Sequence, residues 1–307
     1  MKYHVAVMDN KTINNILNHI KTVESRFSKY QISPYENIYV DDIVLMKEQS
    51  ANIIGYFRVQ DVLHFEFNKA DDFIEIKNKY KDKIVASEAY WKSKETAKYG
   101  TLIVIKEAGC TTPFRFNRKN RLGWISNLDK FKTNIVSLSG EIASGKSYVA
   151  DYFSEQKNAH VLTFSSMLKK ELIKMNKEVN RKNLQEFGHK LFSEIGVEGF
   201  VDKLLENVNS KDNLLVIDGI RHKSALDYLR TKYNLLHIYI HADIKNRFER
   251  YKGNVTYNEF TNICNRDTEK EIMSLIKDSD IVIENKVLNN RVFNQTLNAI
   301  CSIILNG

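Results

Sequence analysis

Proline and cysteine are scarce: the 307-residue chain holds 2 prolines, Pro34 and Pro113, and 3 cysteines, Cys110, Cys264 and Cys301. The cysteines are odd in number, far apart and without ligand spacing. That excludes a disulfide framework and a cysteine-based zinc site, and favours a reducing compartment. No apolar run approaches the ~20 residues of a membrane-spanning helix, and the residues after Met1 read as a short strand rather than a secretory signal. A cytoplasmic protein with no membrane partner is expected. What is present is ordinary for a globular chain, 43% hydrophobic and 27% charged residues, and the length suggests two domains. Lys and Arg number 46 against 38 Asp and Glu, a net charge of +8. Such a surplus suits an anionic ligand, a nucleotide or a nucleic acid.

Two regimes of pattern follow one another. Residues 1–108 mix short strand-like runs (His4–Met8, Ile43–Met46, Asn52–Val59, Thr101–Ile105) with helical patterns near Asn10–Ile20 and Asp71–Tyr80, and read as a small α+β or barrel-like module. Residues 109–133 are polar and basic and read as an extended arm and linker. There Phe114, Phe116 and Trp124 alternate with Arg115, Arg118, Lys119 and Arg121, an interleaving that suits a nucleic-acid strand or equally an interdomain linker. From residue 134 to 307, apolar strand runs alternate with long helical patterns. That rhythm implies parallel strands with crossover helices, a doubly wound α/β domain.

The strongest local signal is Gly140-Glu141-Ile142-Ala143-Ser144-Gly145-Lys146-Ser147, which satisfies G-x-x-x-x-G-K-[ST] after the strand Ile135–Ser139 and before a helix. The backbone N–H groups of such a loop curl around phosphate oxygens at the positive end of a helix. Lys146 is expected to reach the outer phosphates of ATP or GTP, and the Ser147 hydroxyl to ligate Mg²⁺. Leu214-Leu215-Val216-Ile217 then reads as a buried parallel strand. Asp218 stands at its carboxyl end, where open α/β sheets bind ligands, as a candidate for the metal or the acceptor. Arg221 follows as a fork for an acceptor phosphate.

Residues 134–288 resemble the P-loop kinases of small phosphorylated metabolites: nucleoside and phage-type deoxynucleoside monophosphate kinases and the dephospho-CoA kinase-like group. The resemblance rests on the phosphate loop, Arg181-Lys182-Asn183-Leu184-Gln185, Asp218-Gly219-Ile220-Arg221, Arg247-Phe248-Glu249-Arg250, Asn265-Arg266-Asp267-Thr268-Glu269 and Ser279–Asn285. It implies that Arg181 and Gln185 lie in the acceptor region and that Arg247, Arg250 and Arg266 form a cationic lid. A hydroxyl acceptor benefits from a carboxylate base, whereas a monophosphate needs only cations. After the second strand the chain carries Thr163, Ser165 and Ser166 with no carboxylate, which tilts the reading toward a nucleoside monophosphate, although Asp218 remains available as a base.

Residues 1–108 resemble the ASCH domain, a small β-barrel related to the PUA fold and linked with RNA or modified-base recognition. The residues concerned are Lys21-Thr22-Val23-Glu24-Ser25-Arg26, Val40–Val44, Ile53–Tyr56, Tyr90-Trp91 and Lys98–Ile105. The resemblance implies a base site of Lys21, Thr22, Glu24 and Arg26 at a barrel mouth, with Trp91 as stacking surface. Some ASCH proteins hydrolyse an acylated cytidine with a Lys, a Thr and a Glu. Lys21 and Thr22 are present, but Glu24 stands at the threonine position, which counts against hydrolysis.

The expectation is therefore a P-loop doubly wound domain preceded by a smaller α+β, PUA-like barrel. The first would move a phosphoryl group from ATP to a nucleoside or deoxynucleoside monophosphate with Mg²⁺, and the second would recognise a base, RNA or DNA. Two rivals stand beside it: an RNA-binding regulator that senses or hydrolyses ATP, and a dephospho-CoA-type or polynucleotide 5′-hydroxyl kinase.

Overall fold

The computed structural model describes the chain apart from residues 50, 118–121, 127, 207, 209–213, 287–289 and 307, and apart from the side chains of Arg181, Thr268 and Asn306. It divides into two compact units, one built mainly from Met1–Arg115 and Lys119–Lys132, the other mainly from Thr133–Leu305. Among the described residues no helix is long and apolar enough to cross a membrane.

The first unit runs β1 (Tyr3–Met8), α1 (Asn10–Leu17), β2 (Val23–Ser28), β3 (Ile43–Glu48), β4 (Ile53–Glu66), α2 (Ala70–Ile84), α3 (Glu88–Lys94), β5 (Tyr99–Phe116) and β6 (Trp124–Ile125). Its strands are ordered β6-β1-β3-β4-β5-β2, with β1 and β3 parallel and the other pairs antiparallel. Register shifts in β4 beside Arg58 and Val59 add the local bend that lets a sheet curl. Arg26 on β2 spans the two ends of the sheet, donating to Gly123 O at 3.3 Å and to Val7 O at 3.2 Å. The result is a small PUA-like barrel. One core packs α1 against β1, β3 and β4 through Ile13, Ile16, Val44 and Phe57. The other joins Val23, Phe27, Phe73 and Trp91 under α2 and α3.

The second unit begins with β7 (Ile135–Ser139), α4 (Lys146–Lys157), β8 (His160–Thr163), α5 (Phe164–Lys174), α6 (Arg181–Leu205) and β9 (Leu215–Asp218). It continues through α7 (Lys223–Lys232), β10 (Leu235–His241), α8 (Ile244–Arg250), α9 (Tyr257–Cys264), α10 (Asp267–Ser274), β11 (Ile281–Glu284) and α11 (Asn290–Asn306). Its strands lie in the order β8-β9-β7-β10-β11, all parallel. Strand β7 sits in the middle, with β9 on one side and β10 on the other. The carboxyl end of β7 is therefore the switch point at which open α/β sheets take ligands, and the phosphate loop leaves from it. This is the P-loop doubly wound fold.

Two sequence expectations give way here. Residues 109–116 form the second half of β5 rather than an extended arm, pairing along β4 as far as Ile53 with Phe114. Trp124 likewise belongs to β6 and pairs with Ala6. Pro113 and Arg115 masked the strand, but the long partner β4 supplies backbone groups that a free arm would lack. Arg118, Lys119 and Arg121 lie outside the described residues.

Candidate functional site

The phosphate loop is shaped by what holds it from outside. Ala143 and Gly145 adopt left-handed backbone, with φ of 61° and 97°. Ser144 N–H turns back to Glu141 O at 3.1 Å, and Val149 N–H reaches Gly145 O at 3.3 Å to start α4. The loop carbonyls are claimed by neighbours. Arg247 donates to Ile142 O at 3.4 Å and Arg250 to Ser144 O at 3.4 Å, while Asn285 Nδ2 donates to Ser144 O at 2.8 Å. In a trans peptide the N–H points opposite its C=O. Tying those carbonyls outward aims the Ala143 and Gly145 amides into the concave side, where anion oxygens bind. Gly140 is required by contact as well, since a Cβ there would lie 2.5 Å from Ile240 O.

Beneath the loop lies a buried charge network. Glu141, 4% exposed, accepts the Tyr239 hydroxyl at 2.9 Å and faces Arg247 at 3.7 Å and His241 Nδ1 at 3.6 Å. Burial opposes its ionisation, yet His241, Arg247 and Tyr239 together hold its carboxyl below the usual range. The same carboxylate raises His241, and burial together with the Glu141 charge raises Tyr239. Arg247 is itself 6% exposed. It therefore packs inward against Glu141, with Tyr239 and His241 on the same carboxylate, rather than standing exposed as the lid cation that the resemblance implied. Arg250, half-buried, braces the same wall through Asn285 O at 3.2 Å.

On the open side, Lys146 Nζ donates to Asp218 Oδ1 at 2.8 Å. The strand-to-helix turn after Asp218 is fixed by Gly219, at φ 96°, and by the Gly219 and Ile220 N–H groups, both 3.1 Å from Leu138 O. Ser147, next to Lys146 in α4, and Arg221, three residues after Asp218, are exposed. Arg221 lies 3.9 Å from Glu269 Oε1, and Glu269 Oε2 accepts the Ile142 N–H at 3.0 Å. Gln185 is exposed on α6 and Arg266 is exposed at the start of α10. The side chain of Arg181, the first residue of α6, lies outside the described residues.

Tyr239, His241, Asn285 and Glu269 gained no role from the sequence. The available signal was polarity in unusual places: Tyr239 and His241 inside an apolar strand, Asn285 and Glu269 within the matching stretches. The donor set also fits the hard cation that accompanies a polyphosphate. It offers the exposed Ser147 hydroxyl and the Asp218 carboxylate, both oxygen donors of the kind Mg²⁺ prefers. No group of three or more His, Cys, Asp or Glu with metal-holding geometry occurs among the described residues. Mg²⁺ there would rely on phosphate oxygens and water for its remaining ligands.

The first unit carries a cleft of about 1260 Å³ lined by Lys21, Glu24, Arg26, Tyr90, Trp124 and others. Glu24, 4% exposed, sits between Lys21 Nζ at 3.3 Å and Arg26 Nε at 2.9 Å. Lys21 also donates to Ile84 O at 2.6 Å, and the Arg26 guanidinium lies 5.1 Å from the centroid of the Trp124 ring. Tyr90 OH and Ser25 Oγ are 2.8 Å apart, and burial, then Glu24, push the phenol up to about 12. Two expectations fail here. Trp91 is 1% exposed inside the core of Phe27 and Phe73 and cannot stack a ligand; its neighbour Tyr90, only partly packed on the same core, lines the cleft in its place. Thr22 is exposed and spends its N–H on Lys83 O at 3.0 Å, outside the cleft lining.

No family model matches the chain. It is 27% identical over 161 residues to a UPF0200 protein of Methanococcus maripaludis strain C6, covering 50% of this chain and 87% of that one. A UPF0200 protein of Methanococcus vannielii is 25% identical over 181 residues, covering 56% of this chain and 97% of that one. Similar solved structures include an ASCH protein from Zymomonas mobilis, with 15% identity, a TM-score of 0.30, and 36% of this chain and 72% of that one covered. They also include shikimate kinase from Aquifex aeolicus, with 17% identity, a TM-score of 0.39, and 56% of this chain and 99% of that one covered.

Proposed function

We propose that the second unit transfers the terminal phosphoryl group of ATP or GTP, with Mg²⁺, to a nucleoside or deoxynucleoside monophosphate. The observation that carries this reading is the Lys146–Asp218 pair, 2.8 Å apart, which joins the first residue of α4 to the carboxyl end of β9, the strand beside β7, next to the loop amides. Phosphoryl transfer asks little covalent chemistry of a protein; it asks for positive charge arranged around a spreading negative charge. Lys146 and the Ala143 and Gly145 amides supply that charge on the donor side, and Ser147 supplies a ligand for the metal. Arg221 holds the acceptor's phosphate, with Gln185 and Arg266 as further acceptor contacts. An acceptor phosphate oxygen attacks the γ-phosphorus as the bond to the β–γ bridging oxygen breaks. The acceptor oxygen is already anionic, so no base is needed. The cleft of the first unit, with Lys21, Glu24 and Arg26 at its wall, recognises a nucleobase or a nucleic-acid strand.

One observation favours a second reading. When Lys146 turns to a polyphosphate, Asp218 is released and becomes available to accept the proton of a hydroxyl acceptor. Incubation with γ-labelled ATP and a panel of acceptors separates the two. Label on a monophosphate supports the first reading. Label on dephospho-CoA or an oligonucleotide 5′ end supports the second, and label released only as free phosphate points to an ATP-hydrolysing regulator.

A further inference from the structure

Arg221 stands on an exposed turn, and a side chain as long as arginine needs aiming. The backbone just before it is anchored, since the Gly219 and Ile220 N–H groups both meet Leu138 O. The guanidinium beyond keeps the rotamer freedom of its long stem. Its ionic partner among the described residues is Glu269, whose Oε1 lies 3.9 Å from Arg221 Nη1.

The other oxygen of that carboxylate is committed to the phosphate loop. Glu269 is 8% exposed on α10, and its Oε2 accepts the Ile142 N–H at 3.0 Å. Across the same trans peptide, the Glu141 carbonyl turns into the loop toward the Ser144 N–H at 3.1 Å. The Ile142 N–H therefore points away from the anion-binding side. Glu269 grips the loop from behind and leaves the phosphate surface free. The same helix holds the acceptor turn a second time, through Glu271 Oε1 at 2.9 Å from His222 Nδ1. The His222 ring in turn lies 5.6 Å from that of Phe192 on α6, the helix that carries Gln185.

We propose that Glu269 is a positioning residue, a carboxylate that ties the acceptor cation Arg221 to the back of the phosphate loop. This rests on the reading of the second unit as a kinase with Arg221 on the acceptor phosphate. It adds that donor and acceptor phosphates are held in register by α10. Two effects of the carboxylate oppose each other. Its charge weakens the pull of Arg221 on an anionic acceptor, by about 5-fold at most for a pair this open to solvent. Its grip removes slack, and a misplacement of about 1 Å between reacting groups can cost about 100-fold. Positioning wins.

Glu269→Gln keeps an oxygen for the Ile142 N–H and removes the charge that faces Arg221. Initial rates of the full chain with γ-labelled ATP are measured against the best acceptor among AMP, GMP, CMP, UMP and dTMP. Calorimetry gives magnesium-dependent ATP binding, and a thermal scan checks the fold. The variant should lose about 10-fold in kcat/KM for the acceptor while its ATP affinity stays that of the unaltered chain. In an Arg221→Met background the same substitution should add nothing, because the pair acts as a unit. If Glu269 only braces the loop, glutamine replaces it fully and neither quantity changes. If it acts through charge alone, the acceptor KM falls. Either result overturns the proposal and leaves the nucleotide site standing, as does an equal loss with and without Arg221. Should Glu269→Gln fail to fold, Glu271→Gln decides, since it loosens the same turn at His222; an unchanged kcat/KM for the acceptor then counts against positioning. ATP binding without label on any of the five monophosphates removes the acceptor reading, and the proposal with it.

Discussion

Lys146 Nζ and Asp218 Oδ1 lie 2.8 Å apart, joining the first residue of α4 to the last residue of β9. Both side chains are partly screened from solvent, at 23% and 12% exposure. The pair therefore does two things at once. It neutralises a carboxylate at the switch point of the sheet, and it keeps the ammonium aimed across the mouth of the phosphate loop.

Lys146→Ala should lower phosphoryl transfer by at least about 100-fold, the scale of removing one fixed charge from a developing anion. The fold should persist, because the pair stands at the rim of the site and packs no core. Initial rates with labelled ATP, alongside circular dichroism and a thermal scan, check both halves. Turnover like that of the unaltered chain would remove Lys146 from the mechanism.

Arg247 and Arg266 should behave in opposite ways although the sequence suggested one role for both. Arg247→Met strands the buried Glu141 carboxylate, which is 3.7 Å from Arg247 Nη2. Breaking a buried pair from one side costs about 3–5 kcal/mol, so urea unfolding of the variant should shift to clearly lower denaturant. Arg266→Ala touches an exposed side chain and should change stability by less than about 0.5 kcal/mol. Equal stability of the two variants would contradict the buried network.

Why the phosphate loop could be read from sequence and the placement of Arg247 could not is a matter of locality. The phosphate loop was legible because its constraints are local: glycine where backbone space is short, lysine and serine at a helix start. The alternation of strand and helix after residue 134 was legible for the same reason, as each element carries its own period. Arg247 depends on Glu141, more than a hundred residues away, and no spacing within α8 announces that partner. Trp91 and Tyr90 pose the same problem at shorter range. Both are aromatic neighbours on α3 packed on one core, and only the packing of Phe27 and Phe73 decides that Trp91 is the one fully enclosed. The strand at residues 109–116 hid because its pairing partner, not its own composition, makes it a strand.

The cleft residues can be tested by contrasting a core aromatic with a rim aromatic. Trp91→Ala empties a fully buried site and should cost about 3–5 kcal/mol of stability, read by urea unfolding. Tyr30 lines the cleft and is 72% exposed, so Tyr30→Ala should leave stability nearly unchanged. If the cleft takes a base, losing one stacking ring should weaken binding of a single-stranded oligonucleotide by about 1–3 kcal/mol. Fluorescence anisotropy with labelled RNA and DNA strands gives that number directly. Unchanged binding of both strands would exclude Tyr30 as a stacking surface.

His237 sets a pH dependence of stability whose sign can be worked out. It lies fully buried on β10, shares a hydrogen bond with Ser137 Oγ at 2.7 Å through Nδ1, and has no partner for Nε2 among the described residues. Burial first, and then the nearby Arg230 charge, push the imidazole down to about 3 from 6.5. Between those values the unfolded chain binds a proton that the folded chain refuses, so stability falls as pH drops from about 6.5 toward 3. At pH 5 the loss from this group is about 2 kcal/mol, taking 1.36 kcal/mol per unit. His237→Asn keeps a polar atom near Ser137 but cannot titrate. Urea unfolding at pH 7 and pH 5 should therefore show a smaller acid-induced loss in the variant, by about that amount, even though its stability at pH 7 is lower. Identical losses in the two proteins would mean that His237 takes up its proton in the folded state, and that water or a rearranged partner reaches Nε2.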